Sequence, residues 1–285
     1  MAKTDNLSDF LTDVANSIRT KTQTSEQINA QDFSYKILSI QTDGGGTTLK
    51  NLLDAKKTCY YLFSGYGGTS AGDFIQPNDT ENVVNMNNMF NGCSFLISAP
   101  QLNTSNVKTM QEMFHYCTAL TTIPLLDTSN VTNMQGMFSD CKSLTTIPQF
   151  DTSNVTDMGY MFYGCGELTT IPLLDTSNVT DMRFMFHGCN DLTTVPALDA
   201  NNVTDTDYTH YLSFMFEGCS NLKSILMTNI GANLNISAST KFEREDLLVI
   251  LNNLKTVTST TTLTMGETNL AKLTDEDKAI ATGKG

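Results

Sequence analysis

Asp151-Thr152-Ser153-Asn154-Val155-Thr156-Asp157-Met158-Gly159-Tyr160-Met161-Phe162-Tyr163-Gly164-Cys165 is the stretch on which the fold turns, because Asp175–Cys189 repeats it 24 residues later with few changes. Outward from it, Cys93, Cys117, Cys141, Cys165 and Cys189 keep the same beat, and Cys219 follows after a spacing of 30. Met-Phe pairs at 89–90, 113–114, 137–138, 161–162, 185–186 and 215–216 keep time with them, as do Pro100, Pro124, Pro148, Pro172 and Pro196. A fixed period of this size predicts stacked supersecondary units, a solenoid. Such a stack offers an extended surface rather than a cleft, so function is expected on its outside.

Within each unit, Leu120, Ile123, Leu144, Ile147, Leu168, Ile171, Leu192 and Val195 form a recurring apolar row. Leu-Thr-Thr-Ile predicts a short strand, since Thr and Ile suit pleated backbone. The proline that follows cannot donate to a ladder and should end or edge it. Asp-Thr-Ser-Asn is turn chemistry, its side chains bonding nearby N–H groups. Met-x-x-Met-Phe-x-Gly-Cys fits one or two helical turns, with Met and Phe inward and Gly near the end. One short strand and one short helix per repeat gives an α/β leucine-rich-repeat solenoid. At ~4.8 Å per rung, six units make a rod of roughly 30 Å.

Around this array, about residues 82–226, three other parts are expected. In residues 1–42, Leu7, Phe10, Leu11, Val14 and Ile18 lie on one face of a helix. A second short helix is expected from about residue 30 to 40, and so small a pair cannot bury a core alone. That segment is therefore expected to anchor and oligomerise the chain. Gly44-Gly45-Gly46 makes residues 43–46 a flexible joint. Residues 47–81 are expected to cap the N-terminal end of the stack. Residues 227–285 should close the other end, with a helix at 244–251, a strand at 261–265 and a final helix capped from Thr274.

The chain has 285 residues, 17 basic and 30 acidic, for a net charge of −13, and is 40% hydrophobic. Between Val83 and Val203 there are three basic residues (Lys108, Lys142, Arg183) against ten acidic ones. Such a surface repels a phosphate backbone, so nucleic acid is not an expected partner. No apolar run reaches signal-peptide or membrane-spanning length, so cytosolic synthesis without membrane insertion is expected. Six of the seven cysteines share one repeat position and none is spaced Cys-x2-Cys. Side chains in such a row run parallel, whereas a disulfide needs convergence, so buried free thiols are expected.

The unit seen whole at Asp151–Cys165 and Asp175–Cys189 resembles the BspA-like bacterial leucine-rich repeat. That resemblance implies a protein of bacterial surfaces or of phage and prophage virions, and it supplies no catalytic residues. The opening segment, Leu11 to Thr22 with Ile28 to Phe33, is similar to the start of tail or minor structural proteins of phages infecting Gram-positive bacteria. The segments Thr262 to Gly266 and Leu273 to Thr282 are similar to the close of such proteins. Together the resemblances imply a virion fibre or decoration subunit, attached to other virion proteins by its N-terminal segment. By analogy with fibres it would be a homo-oligomer, a trimer. Its repeat head would bind a host-surface protein or glycan. A bacterial surface adhesin and a decoration without receptor are the alternatives.

No residue nominates itself for catalysis. His115 and His187 share a repeat position with Asn91, Ser139, Tyr163 and Glu217, a tolerance expected of an exposed site. Asp127, Asp151, Asp175 and Asp199, preceded by Asn103, form one carboxylate ladder; Asn133, Asp157, Asp181 and Asp205 form another. Each can bond backbone N–H groups in its own turn, or calcium can bridge the rungs. Asn at the first rung of each row favours the hydrogen bonds, so neither metal nor cofactor is expected. The informative positions are those that do not repeat. Aromatic residues gather toward the C-terminal end of the array, and Tyr160, Tyr163, His187, Tyr208 and Tyr211 are expected to form a binding patch. Phe184 and Phe214 are expected to pack under the C-terminal cap instead.

Overall fold

The computed structural model describes residues 58–59, 62–65, 67, 69–71, 75–203, 212–258 and 261–284. The anchoring residues Leu7, Phe10, Leu11, Val14 and Ile18 and the glycine joint lie outside them. So do Tyr208 and Tyr211 of the expected patch and Asp205 of the second ladder.

Rungs of the chain lie parallel, one above another, in the expected period. Parallel bridges join Asn85, Thr109, Asn133, Asp157 and Asp181 in one column. The rungs repeat one pattern of buried positions. In the rung of the opening stretch these are Val155, Met158, Met161, Phe162, Cys165, Leu168, Ile171 and Leu174, all buried. Phe63, Phe90, Phe114, Phe138, Phe162, Phe186 and Phe216 form a continuous spine. Successive centroids are 5.3 to 5.9 Å apart and the rings lie within 10° of parallel. The spine starts at Phe63, before the first full repeat, because Leu62-Phe63 takes the place of a Met-Phe pair. Phe63 N donates to Met89 O at 2.8 Å, the bond that later rungs make.

The Met-Phe segment is not helical, contrary to its sequence pattern. Met158, Tyr160, Phe162 and Gly164 donate their N–H groups to Asp181, Arg183, Met185 and His187 of the next rung, at 2.7 to 3.0 Å. The N–H groups between them turn back within the rung: Met161 to Met158 O, Tyr163 to Tyr160 O and Cys165 to Phe162 O. The segment is thus a chain of turns that spends half its donors on the neighbour. An α-helix would keep all of them for itself. Two left-handed residues in each rung from Asn88 to Gly188 enforce this. The residue before Met-Phe is Asn88, Glu112, Gly136, Tyr160 or Phe184, with φ between 53° and 59°. The residue before Cys is Gly92, Tyr116, Asp140, Gly164, Gly188 or Gly218, with φ between 58° and 83°.

The expected Leu-Thr-Thr-Ile strand is also reduced. Only β1 (Thr194–Val195) and β2 (Ser224–Ile225) pair there as strands among the described residues. Elsewhere single bonds such as Thr169 N to Thr145 O carry the contact. The prolines remove the next donor, so the ladder cannot extend.

Asp-Thr-Ser-Asn explains its own recurrence. Asp151 Oδ1 accepts from Ser153 N and Oγ at 3.0 and 2.7 Å. The buried Thr152 hydroxyl donates forward to Asp175 O at 2.8 Å, and Asn154 donates back to Ser129 O at 2.8 Å. One residue closes the turn and two tie it to the rungs on either side.

At the C-terminal end β3 (Leu234–Asn235) pairs in parallel with β4 (Leu263–Thr264), and α1 (Arg244–Asn252), α2 (Glu267–Leu270) and α3 (Asp275–Thr282) close the stack. Thr274 caps α3 as its sequence predicts: its Oγ1 accepts from Asp277 N at 3.2 Å, and Asp277 Oδ2 accepts from Thr274 N at 2.9 Å. Asp277 also receives a two-pronged bond from Arg244 at 2.9 and 2.7 Å, fixing α3 against α1.

Candidate functional site

Two residues in each rung alternate with the spine on the opposite side of the backbone, the one before Met-Phe and the one after. In the C-terminal half these carry rings. Tyr160 stacks on Phe184 at 5.0 Å and 13°, and Phe184 on Phe214 at 5.3 Å and 5°. Beside them Tyr163 stacks on His187 at 4.8 Å and 3°. The two columns touch, Tyr160 with Tyr163 at 5.9 Å and Phe184 with His187 at 5.7 Å. The structure therefore brings together Tyr160, Tyr163 and His187 of the expected patch.

It adds Phe184 and Phe214, which correct the sequence expectation. Neither is hidden beneath the cap. Phe184 is half-buried and Phe214 is 41% exposed, in line with Tyr160. The signal was present in the sequence, since Tyr160, Phe184 and Phe214 hold the same repeat position; only the face they share was not legible.

His115 and His187 are half-buried rather than exposed, because rings cover them. His115 lies 4.1 Å from Tyr116 and His187 against Tyr163. His187 Nδ1 is 3.7 Å from Glu217 Oε2, and His115 Nδ1 is 3.7 Å from Glu112 Oε2. Arg183 rises beside Phe184, but its guanidinium is engaged by Asp181 at 2.7 Å. The border of the aromatic face is thus carboxylate-rich.

The carboxylate ladders are hydrogen-bonded turns. Asn133, Asp157 and Asp181 each accept from the N–H two residues on, at 2.9 Å. Burial pushes the Asp157 and Asp181 carboxyls above the usual range, and the Asp181 charge adds to the rise at Asp157. The bonds from Ser153 and Ser177 hold Asp151 and Asp175 below it. Among the described residues no group of three or more His, Cys, Asp or Glu is placed to hold a metal ion.

All seven thiols are buried and free, as the spacing predicts. Each of the six in the column donates to the phenylalanine carbonyl of an earlier rung; Cys165 Sγ bonds Phe138 O at 3.0 Å and Cys189 Sγ bonds Phe162 O at 3.1 Å. Burial raises the pKa values of Cys141 and Cys189 well above the ordinary thiol range and that of Cys219 to about 12, so these thiols stay protonated and act as packing.

The family model described as "Mycoplasma protein of unknown function, DUF285" matches residues 57–168 and again 145–244. Among solved structures the chain is similar to a T. pallidum leucine-rich-repeat protein, with 24% identity and a TM-score of 0.38 over 50% of this chain and 62% of that one. It is also similar to a leucine-rich cell surface protein from Faecalibacterium prausnitzii A2-165, with 28% identity and a TM-score of 0.38 over 52% and 37%. The chain spans less than two thirds of the length of either. No curated protein matches it.

Proposed function

The chain belongs to the DUF285 family, a BspA-like leucine-rich-repeat family compatible with an adhesin or binding role, and from that premise we propose that it is a non-enzymatic binding protein. Its repeat stack is the recognition head, and the aromatic face of the C-terminal rungs is the contact surface. The observation that carries this reading is the placement of Tyr160 and Phe184 at left-handed positions, φ 59° and 55°, on the outside of the stack. A non-glycine residue costs ~1–2 kcal/mol there. Gly136 occupies the same position without that cost. Strain of this kind points to a use for the ring.

The head is carried on a phage virion, as a fibre or decoration subunit. The similarity of residues 11–22, 28–33, 262–266 and 273–282 to phage structural proteins supports this placement. The N-terminal segment attaches to other virion proteins and joins copies of the chain, so that several weak heads act together on one host surface. The host-surface protein or glycan is the ligand, and neither nucleic acid nor the bilayer interior is a partner. Gold-labelled antibody against the head, applied to intact particles and to uninfected cells, tests the placement. Label on virions is the expected result. Label on the cell envelope without particles would make the chain a bacterial adhesin instead.

A further inference from the structure

Ring faces and ring edges suit different ligands. A sugar ring lies flat on an aromatic face, through its C–H groups, so a saccharide site needs a face open to solvent. Between neighbouring rings of the outer columns the faces are taken. Tyr160, Phe184 and Phe214 stack on one another at 5.0 and 5.3 Å, and Tyr163 stacks on His187 at 4.8 Å. At the position before Tyr160, Gly136 carries no ring, and the Glu112 side chain lies over it, its Cγ 3.1 Å from where a Cβ would stand. The columns therefore present a strip of ring edges. Edges carry the positive end of the ring quadrupole and favour carbonyl oxygens and aliphatic groups.

The border has a sign as well. Glu112, Asp140 and Glu217 flank the strip, while Arg183 is neutralised by Asp181 at 2.7 Å. A complementary partner is basic around its apolar part.

We infer that the strip docks a protein, through an apolar ridge bordered by lysine or arginine, and not a saccharide. This rests on the reading of the stack as a recognition head. Aromatic side chains centred in a charged rim are the usual composition of a protein-binding hot spot.

The test uses the full chain, fluorescently labelled, on cells of the host strain that are untreated, shaved with trypsin, or oxidised with periodate. Binding should fall about tenfold or more after trypsin and stay unchanged after periodate. It should also weaken as NaCl is raised, because the attraction across the rim is screened. Phe184→Gly and Tyr160→Gly should each lower binding to untreated cells about tenfold, as hot-spot losses do. Glycine suits the left-handed backbone at both sites, so these variants keep the fold; Phe184→Asn, which places there the residue type that Asn88 supplies at the same repeat position, is the control if either does not. Loss to periodate with survival of trypsin would make the ligand a saccharide and overturn the inference while the head reading stands. Full binding by both glycine variants would place the contact elsewhere and overturn it too. No binding to cells under any condition would remove the head reading, and the inference with it.

Discussion

Two of the aromatic columns lie only two residues apart in sequence, and they behave as opposites. Phe162 and Phe186 belong to the inner spine, fully buried; Tyr160 and Phe184, two residues before them, belong to the outer strip. Both columns stack at rung spacing. The inner one sits under relaxed backbone and is the same residue in every rung. The outer one sits on left-handed backbone as far as Phe184 and changes from Asn88 to Glu112 to Gly136 before it becomes aromatic. Repetition marks what the fold needs. Departure from repetition, kept in spite of strain, marks what the fold does not need.

Substitutions in the two columns should therefore diverge. The largest effect belongs to the spine. Phe138 is buried between Phe114 and Phe162 and also meets Phe150 at 6.2 Å. Phe138→Ala should lose ~3–5 kcal/mol in urea unfolding, through lost burial and the cavity left behind. A middle effect belongs to the ties between rungs. Thr152→Val keeps the shape but removes the hydroxyl bonded to Asp175 O. It should lose ~0.5–1.5 kcal/mol, the net contribution of a typical hydrogen bond. A loss as large as that of Phe138→Ala would show that polar ties, not the spine, hold the stack.

The smallest effect should be a gain. Burial raises the folded-state pKa of Asp157, with Asp181 adding to the rise and Arg183 opposing it. The folded chain then holds the Asp157 proton to higher pH than the unfolded chain. Stability from this group is full below the ordinary carboxylate pKa and declines as pH rises through that value toward the raised one. Asn133 fills the same column and accepts the same bond at 2.9 Å. Asp157→Asn should therefore gain on the order of 0.5 kcal/mol at neutral pH, the scale of partly exposed substitutions. It should also flatten the decline seen when unfolding is followed from about pH 4 to about pH 7. A steeper decline in the variant would reverse the assignment.

Much of this was legible from the period alone. Spacing of 24 residues put Met, Phe and Cys in one interior, and free thiols followed from their parallel row. Arg244–Asn252 and Asp275–Thr282 announced themselves by apolar spacing and by Thr274. The Met-Phe segment misled because Met158, Met161, Phe162 and Cys165 fall at spacings a helix would also use. What decides against the helix is the φ of Tyr160 and Gly164, and tyrosine gives no local warning of a left-handed backbone. The rung at Leu62-Phe63 was hidden because it lacks methionine and sits outside the regular spacing. Tyr160, Tyr163 and His187 stood out by their departure from the repeat, and the structure sets their rings side by side. Phe184 and Phe214 were misplaced because a buried phenylalanine is the commoner case, and only the stack shows which side of the chain a position faces.

Urea unfolding of Phe184→Gly beside Phe186→Ala tests the division between the two columns most directly. Phe186→Ala should lose ~3–5 kcal/mol. Phe184→Gly gives up two surface stacks of ~0.5–1.5 kcal/mol each and relieves ~1–2 kcal/mol of strain, so it should stay within about 2 kcal/mol of the parent. Equal losses at the two positions would mean that the outer rings hold the fold as the inner ones do, and would contradict the account.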